Sequence, residues 1–281
     1  MKPIRIIPRL DIKGPNLVKG IHLEGLRVLG NPYEFAKFYY ENGADELIFM
    51  DVVASLYERN SLHDIISKTS KNIFIPITVG GGLRSIRDIK DVLRAGADKV
   101  CLNTAVIKNP GLIRDASRKF GSSTIVIAIE AIKDENGNYL AYTDNGREYT
   151  GIDVFDWATE VTKLGAGEIV ITSVDKEGTG EGPDFHLINK INSLVSIPVI
   201  AHGGFGKKEH ILNLTNEKKV DSISIASIFH YNYIENNNSY INQDEGNIEF
   251  LSKKRSFHIF EPISIPSLKN YLMKHKINCR I

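Results

Sequence analysis

The chain has 281 residues, 42% hydrophobic and 25% charged, so it can bury a large core without disulfides or metal ions. Its formal net charge of +1 gives no electrostatic reason to expect nucleic acid or a membrane surface as a partner. Cys101 and Cys279 lack paired spacing and have no histidine in metal-ligand register, so we expect free thiols, no metal, no cofactor and a cytoplasmic location. No apolar run is long enough to predict a signal peptide or a transmembrane helix.

Short runs rich in Ile and Val predict eight buried strands, as in a parallel sheet covered on both faces. In chain order they are Ile4–Leu10, Glu46–Asp51, Ile73–Val79, Lys99–Asn103, Thr124–Glu130, Glu168–Ser173, Val199–His202 and Ser222–Ala226.

Amphipathic patterns between these runs predict helices. They cover Asn31–Asn42, Ile86–Ala95, Asn109–Lys119, Val154–Leu164, Phe185–Asn192 and a final helix near Ser267–His275. Asn31-Pro32 and Asn109-Pro110 each match a helix N-cap followed by proline at the first helical position.

Two segments interrupt the alternation. Asn-Gly pairs on either side of Tyr139–Tyr142 predict a hairpin within Lys133–Gly146. Residues 231–262, rich in Asn, Asp and Glu, separate the eighth strand from the last helix, and we interpret them as an inserted loop.

The chain contains an internal repeat at an offset of 122 to 123 residues. Ile75-Pro76 through Gly81-Gly82 to Asn103-Thr104 corresponds to Ile197-Pro198 through Gly203-Gly204 to Ala226-Ser227, and Asp98 corresponds to Asp221. Four strand–helix units repeated once predict an α/β fold, a (β/α)8 TIM barrel with two-fold half-barrel symmetry, as a single domain. A doubly wound open sheet is the alternative, but it gives no reason for the repeat.

The repeat also predicts two anion sites at the C-terminal ends of the barrel strands. Glycines let backbone N–H groups approach a phosphate, and a following Thr or Ser adds a hydroxyl. The first site comprises Gly81, Gly82, Asn103 and Thr104; the second comprises Gly178, Thr179, Gly203, Gly204, Ala226 and Ser227. We expect a phosphorylated small molecule that spans the barrel mouth.

Two carboxylates lie between these sites, because Asp11 and Glu130 each end the first strand of their half. Such a pair can act as general acid and base. The structural alternative is that they cap helices or pair with Lys19 or Arg9.

Four charged residues mark strand starts and should meet at the opposite end of the barrel: Arg5, Glu46, Lys99 and Glu168. They can form a salt-bridge ring that only stabilises the fold, which is the usual role of that face. The functional alternative is a gate over a channel through the barrel.

Several motifs resemble those of the cyclase subunit of imidazole glycerol phosphate synthase, HisF. They are Arg5-Ile6-Ile7-Pro8, Leu10-Asp11, Val18-Lys19-Gly20, Gly43-Ala44-Asp45-Glu46-Leu47, Thr78-Val79-Gly80-Gly81-Gly82, Gly96-Ala97-Asp98-Lys99-Val100 and Gly165-Ala166-Gly167-Glu168-Ile169. The resemblance covers about residues 1–230 and the last helix, but not the insert.

The resemblance implies a barrel that receives ammonia from a glutaminase subunit of the HisH type, docked at the barrel bottom near Asp98. Ammonia would pass the charged ring and attack a bis-phosphate ribonucleotide at the mouth. The products would be imidazole glycerol phosphate and an aminoimidazole carboxamide ribotide. Asp11 would be the general base, the strand-five carboxylate the general acid, and Lys19 would help close a loop over the substrate.

Four positions depart from the family pattern, all at the mouth: Arg9, Glu130, Glu177 and His202. Glu130 and Glu177 replace aspartates, and Arg9 replaces a small residue. A shift of about 1 Å in a catalytic group can cost roughly 10²-fold in rate. The charged ring is intact.

The departures favour a divergent paralogue that supplies ammonia for amidination of an N-acetyl sugar in surface-polysaccharide biosynthesis, with a sugar amidotransferase docked at the top face. The alternative is an ordinary cyclase of histidine biosynthesis, which the two phosphate sites support. A barrel that only activates its glutaminase is a third hypothesis, which leaves those sites unexplained.

Overall fold

A computed structural model describes residues 3–54, 62–216, 220, 222–237 and 260–280. Its centre is a barrel of eight parallel strands, closed by the pairing of Ile125–Lys133 with Glu168–Ser173. The barrel strands in chain order are β1 (Arg5–Lys13), β4 (Leu47–Asp51), β5 (Ile77–Gly80), β6 (Lys99–Leu102), β7 (Ile125–Lys133), β10 (Glu168–Ser173), β11 (Val199–His202) and β12 (Ser222–Ile225). The predicted TIM barrel is therefore confirmed.

Helices follow the barrel strands and cover the outside of the sheet. The described ones are α1 (Pro32–Glu41), α2 (His63–Ser70), α3 (Ile86–Arg94), α4 (Thr104–Lys108), α5 (Gly111–Phe120), α6 (Val154–Leu164), α7 (Phe185–Leu194), α8 (Lys208–Asn216), α9 (Ser227–Asn236) and α10 (Ile265–Lys274). The Asn31 side chain caps α1 as predicted. The second predicted cap lies one residue further on, because Pro110 is the N-cap of α5 and Gly111 its first residue.

Two hairpins extend from equivalent barrel strands. β1 continues into β2 (Asn16–Ile21) and β3 (Glu24–Gly30), and β7 continues into β8 (Tyr139–Thr143) and β9 (Glu148–Asp153). The second hairpin was predicted, whereas the first was not. Asp11 and Glu130 therefore lie inside long strands rather than at their ends.

Two further predictions need correction. Residues 73–76 precede β5 instead of belonging to it. Residues 231–236 form the last part of α9, so this part of the predicted inserted loop is helical. Residues 238–259 of that insert lie outside the described residues, as does Asp221.

Alternation along β1 separates two apolar layers, since successive strand residues point to opposite faces. Ile6, Leu10 and Ile12 pack in the large cluster between the sheet and the helices. A smaller cluster fills the barrel interior: Ile7, Ile48, Cys101, Val126, Ala128, Val170 and Ile200. Arg5, Arg9 and Asp11 share the inward face with Ile7, so charged groups lie at both ends of this apolar layer.

Candidate active site

Two buried carboxylates lie at the barrel mouth, as predicted. Asp11 is 4% exposed and Glu130 is 8% exposed. Glu130 Oε2 accepts the Gly146 backbone N–H at 2.8 Å from the turn of the second hairpin. Burial raises the pKa of Glu130 to about 7, against the lowering effects of the Gly146 N–H and the Arg9 charge. A carboxyl with such a pKa can donate or accept a proton near neutrality.

Asp11 is held by an ion pair. Arg9 Nε donates to Asp11 Oδ1 at 2.8 Å, and both side chains are about 95% buried. Burial opposes the charge on Arg9, but Asp11 and the nearby Glu177 and Glu130 outweigh it and raise the guanidinium pKa. The predicted Arg9–Asp11 pairing is present, so the charge of Asp11 is compensated from within the barrel.

The first predicted anion site borders an open cavity of about 330 Å³. Its lining includes all four predicted residues: Gly81, Gly82, Asn103 and Thr104. Glu130 and Arg9 line the same cavity, and Arg84 and Lys108 add positive charge. Anionic groups of a ligand can therefore bind here within reach of an ionisable carboxyl.

The glycine at position 81 permits a close backbone approach. Its φ is +102°, and an added Cβ would lie 2.4 Å from the Asp51 carbonyl oxygen. Beside it, the Thr104 hydroxyl lies 3.4 Å from Asp144 Oδ1, and Asn103 donates to the Tyr142 carbonyl at 3.4 Å. The second hairpin therefore forms one wall of the first site.

The second predicted anion site is much smaller, with a free volume of about 10 Å³. Five of its predicted residues line it: Gly178, Gly203, Gly204, Ala226 and Ser227. His202, Phe205 and Phe260 also line it and occupy space beside the glycines. Thr179 does not line this cavity, and its hydroxyl donates to the Lys176 carbonyl at 2.8 Å within the same turn.

Lys19 was predicted to contact substrate, but it lines neither anion site. Its Nζ donates to Glu177 Oε1 at 2.6 Å and to the Gly20 carbonyl at 2.7 Å. His202 Nδ1 lies 3.0 Å from the Ser224 carbonyl, so Nδ1 carries the proton, and Nε2 lies 3.9 Å from Glu177. Burial, with Arg9 nearby, lowers the pKa of His202 to about 3, so the ring is neutral. This Lys19–Glu177–His202 cluster was not predicted, because no motif indicates which buried side chains meet.

The tips of the two hairpins meet over the mouth. Asn145 Nδ2 donates to the Leu23 carbonyl at 2.6 Å. His22 and Leu23 have positive φ, as do Asp144 and Asn145, which follow them by 122 residues in the numbering. The internal repeat thus extends to these turns, whose Gly146 and Leu23 N–H groups contact the buried carboxylates Glu130 and Glu177.

The opposite end of the barrel carries the predicted ring of four charges. Arg5 Nη1 donates to Glu46 at 2.7 Å, and Lys99 donates to Glu46 and Glu168 at 3.0 Å each. Arg5 also pairs with Glu168, which closes the ring. Burial disfavours the charge on Glu46, but Arg5 and Lys99 outweigh it and lower the Glu46 pKa. All four side chains are at most 19% exposed.

Asp98 lies beside this ring at the barrel bottom. It is exposed, and its Oδ2 accepts the Ile77 backbone N–H at 2.8 Å. Asp45 accepts the Ile6 N–H at 2.7 Å in the same way. Both carboxylates therefore fix the start of a barrel strand, which is a structural role independent of any partner.

The described residues contain neither a metal-binding cluster nor a membrane-spanning helix. Within the described ranges, no group of three or more His, Cys, Asp or Glu side chains is arranged to hold a metal ion. Among the described helices, none combines the length and apolarity needed to cross a membrane.

Comparison with known proteins identifies the family. A model of the histidine biosynthesis protein family matches residues 5–235. The imidazole glycerol phosphate synthase subunit HisF of Legionella pneumophila is 60% identical over 209 residues, covering 74% of this chain and 99% of the relative. The subunit of the same name from Bacillus cereus strain Q1 is 47% identical over 227 residues, covering 81% of this chain and 90% of the relative. The chain therefore belongs to the histidine biosynthesis protein family and, within it, to the HisF group.

Proposed function

We propose that this chain is the ammonia-using cyclase/lyase subunit of an imidazole glycerol phosphate synthase. The proposal rests on the barrel mouth, where the Glu130 carboxyl, with a pKa of about 7, borders a cavity lined by glycines and cationic side chains. Both relatives are named as subunits of that synthase, which supports the same activity here.

In this proposal, the first anion site binds one phosphate of a bis-phosphate ribonucleotide, and the acceptor atom lies next to Glu130. Glu130 is the general acid, since its raised pKa leaves part of the population protonated near pH 7. Asp11 is the general base, held in place by Arg9. The second phosphate binds at Gly203 and Gly204, which requires His202 or Phe260 to move, because about 10 Å³ is too small for a phosphate.

A glutaminase subunit of the HisH type supplies ammonia at the barrel bottom. The exposed Asp98 lies at that face, next to the ring formed by Arg5, Glu46, Lys99 and Glu168. The ring covers the entrance to the barrel interior, whose walls are small or apolar side chains such as Ala128 and Val126. Ammonia would enter when one pair of the ring separates.

The direct test uses the purified chain with ammonium chloride and the bis-phosphate ribonucleotide substrate of the synthase. We expect imidazole glycerol phosphate and aminoimidazole carboxamide ribotide as products, measured by absorbance and mass spectrometry. Glutamine should replace ammonia once the glutaminase subunit is added. Failure of the wild-type chain to release either product at any ammonia concentration would refute the cyclase proposal.

A second candidate is a divergent subunit that delivers ammonia to another acceptor, such as an N-acetyl sugar amidinated by a sugar amidotransferase at the top face. The small second anion site and the Arg9–Asp11 pair favour it, because both alter the part of the mouth that a bis-phosphate substrate needs.

The two candidates differ in a variant test. If cyclase turnover is absent in the wild type but appears in a Glu130→Asp, Arg9→Cys double variant, the second candidate is supported. Wild-type complementation of a histidine auxotroph would exclude it as the main role. A cytoplasmic location remains part of both proposals.

A further inference from the structure

A buried guanidinium lies inside the candidate active site. Arg9 is 4% exposed and lines the open cavity together with Glu130. Its Nε donates to Asp11 at 2.8 Å, and its Nη1 lies 3.4 Å from Thr172 Oγ1. The side chain therefore crosses the barrel interior from β1 to β10.

This crossing brings the guanidinium beside Glu130. Thr172 is the direct register partner of Glu130 in the β7–β10 pair. The position that corresponds to Arg9 in the second half is Ala128, at the same offset of 119 residues that relates Asp11 to Glu130. Ala128 faces the barrel interior, two residues before Glu130 on the same strand. Its small side chain leaves space for the guanidinium.

The chemistry of this pair is specific. A guanidinium stays charged and has five N–H donors but no acceptor. Asp11 and Thr172 take two of these donors among the described residues, so others can reach a ligand in the cavity. Arg9 donors and a protonated Glu130 can bind the same ligand oxygen from two sides. Such an arrangement fits an oxygen on which negative charge develops during reaction.

We propose that Arg9 is a catalytic residue that binds and polarises a carbonyl oxygen of the acceptor, which is a carbonyl compound with an anionic group in the first anion site. This inference rests on the ammonia-using cyclase function proposed above, in which the acceptor binds at this mouth.

The step balances without another reactant. The nitrogen lone pair of ammonia forms a C–N bond to the carbonyl carbon, and the carbonyl π electrons move to oxygen. Arg9 N–H groups stabilise that oxygen, and Glu130 gives it a proton. The nitrogen, now positively charged, returns one proton to the Glu130 carboxylate. The product is a carbinolamine, formed from one ammonia and one carbonyl group.

The kinetic test compares Arg9→Met, which keeps side-chain length without charge, with Arg9→Lys. In ammonia-driven turnover we expect Arg9→Met to lower kcat about 100-fold or more with little change in KM, and Arg9→Lys to recover part of the loss. Thermal melting of each variant checks folding. The proposal would be overturned by an Arg9→Met enzyme that folds and keeps the wild-type kcat, whether or not its KM is raised.

A spectroscopic test is independent of turnover. Dihydroxyacetone phosphate, a small phosphorylated ketone, serves as the probe, and its carbonyl stretch is followed by infrared difference spectroscopy. We expect a lower frequency on binding to the wild type, a smaller shift with Arg9→Lys and the smallest shift with Arg9→Met, in which Glu130 is the remaining donor. A shift in Arg9→Met as large as in the wild type, or a probe that does not bind the wild type, contradicts the role of Arg9. If the shift appears as expected but no ribonucleotide reacts, the cyclase proposal fails and the carbonyl site stands.

Discussion

In the first half of the barrel, the glycine pair 81–82 borders a cavity of about 330 Å³, whereas the equivalent pair 203–204 borders only about 10 Å³. The hairpin turns of the two halves share a left-handed backbone conformation at corresponding positions. The difference lies in side chains, because His202, Phe205 and Phe260 line the small site. A duplicated fold can thus keep its symmetry in glycines and hydrogen bonds while its ligand volume becomes unequal.

The carboxylates of the two halves also differ, in their partners and in their pKa. Asp11 is ion-paired with Arg9, whereas Glu130 contacts a backbone N–H and has a pKa raised to about 7. One half of the mouth therefore holds a compensated charge, and the other holds a group that changes protonation near neutrality.

Loss of Asp11 should destabilise the protein most. Asp11→Ala leaves the buried Arg9 guanidinium without its carboxylate, which we expect to cost about 3–5 kcal/mol in the free energy of unfolding. Urea denaturation measures the change. The double variant Asp11→Ala, Arg9→Met removes both charges and should recover much of it. Equal destabilisation of the single and double variants would show that the ion pair is not the cause.

Glu130→Gln should become more stable relative to the wild type as the pH rises. Because the folded pKa of Glu130 is above its unfolded value, its stabilising contribution is complete below about pH 4.5 and is lost as the pH rises through about 7. We therefore expect the stability of Glu130→Gln relative to wild type to increase by about 2–3 kcal/mol from pH 5 to pH 8.

Glu46→Gln is the matched control, because the pKa of Glu46 is lowered in the folded state. The stabilising contribution of Glu46 is lost only as the pH falls below its ordinary acidic range. Relative stability of this variant should stay flat between pH 5 and pH 8. A flat profile for Glu130→Gln as well would mean that Glu130 is ionised throughout.

The matched glycines should tolerate alanine unequally. Gly81 and Gly203 both have φ of +102°, so alanine strains either backbone by about 1–3 kcal/mol. At Gly81 the new Cβ would meet Asp51 O at 2.4 Å, whereas at Gly203 it would meet Ser173 O at 2.8 Å. Gly81→Ala should therefore lower the melting temperature more than Gly203→Ala. The reverse order would contradict the geometry of the two turns.

The smallest expected effect is a difference in affinity for inorganic phosphate between the two anion sites. We expect one phosphate per chain by calorimetry, weakened about 10-fold by Thr104→Ala, since a hydrogen bond to a charged group is worth about 1.5–3 kcal/mol. Ser227→Ala should change this affinity less than about 2-fold, because its site has too little space. Two phosphates per chain bound with equal affinity in the wild type would contradict the inequality of the halves.

The sequence patterns predicted all eight barrel strands, because buried Ile and Val runs are a strong local signal. Asn145-Gly146 also marked the second hairpin, since glycine readily adopts positive φ. The first hairpin turns at His22-Leu23, which carry positive φ without glycine or asparagine, so it lacks the Asn-Gly signal that marks the second.

The candidate site was only partly predictable. The paired glycines and the two carboxylates were predicted from the internal repeat and the strand pattern, and the structure brings them to one mouth. The volume of each anion site and the partner of Lys19 depend on how side chains from distant segments pack, such as Glu177 at 2.6 Å. Those features are decided by tertiary contacts that a local pattern does not encode.

The most direct test of the proposed function is ammonia-driven turnover of the bis-phosphate ribonucleotide by the wild type and by Glu130→Gln, measured side by side at saturating substrate. We expect product from the wild type and a kcat at least about 100-fold lower in Glu130→Gln, because the proton donor next to the first anion site is removed. Absence of wild-type turnover, or equal rates in the two proteins, would contradict the assignment of this mouth as a cyclase site.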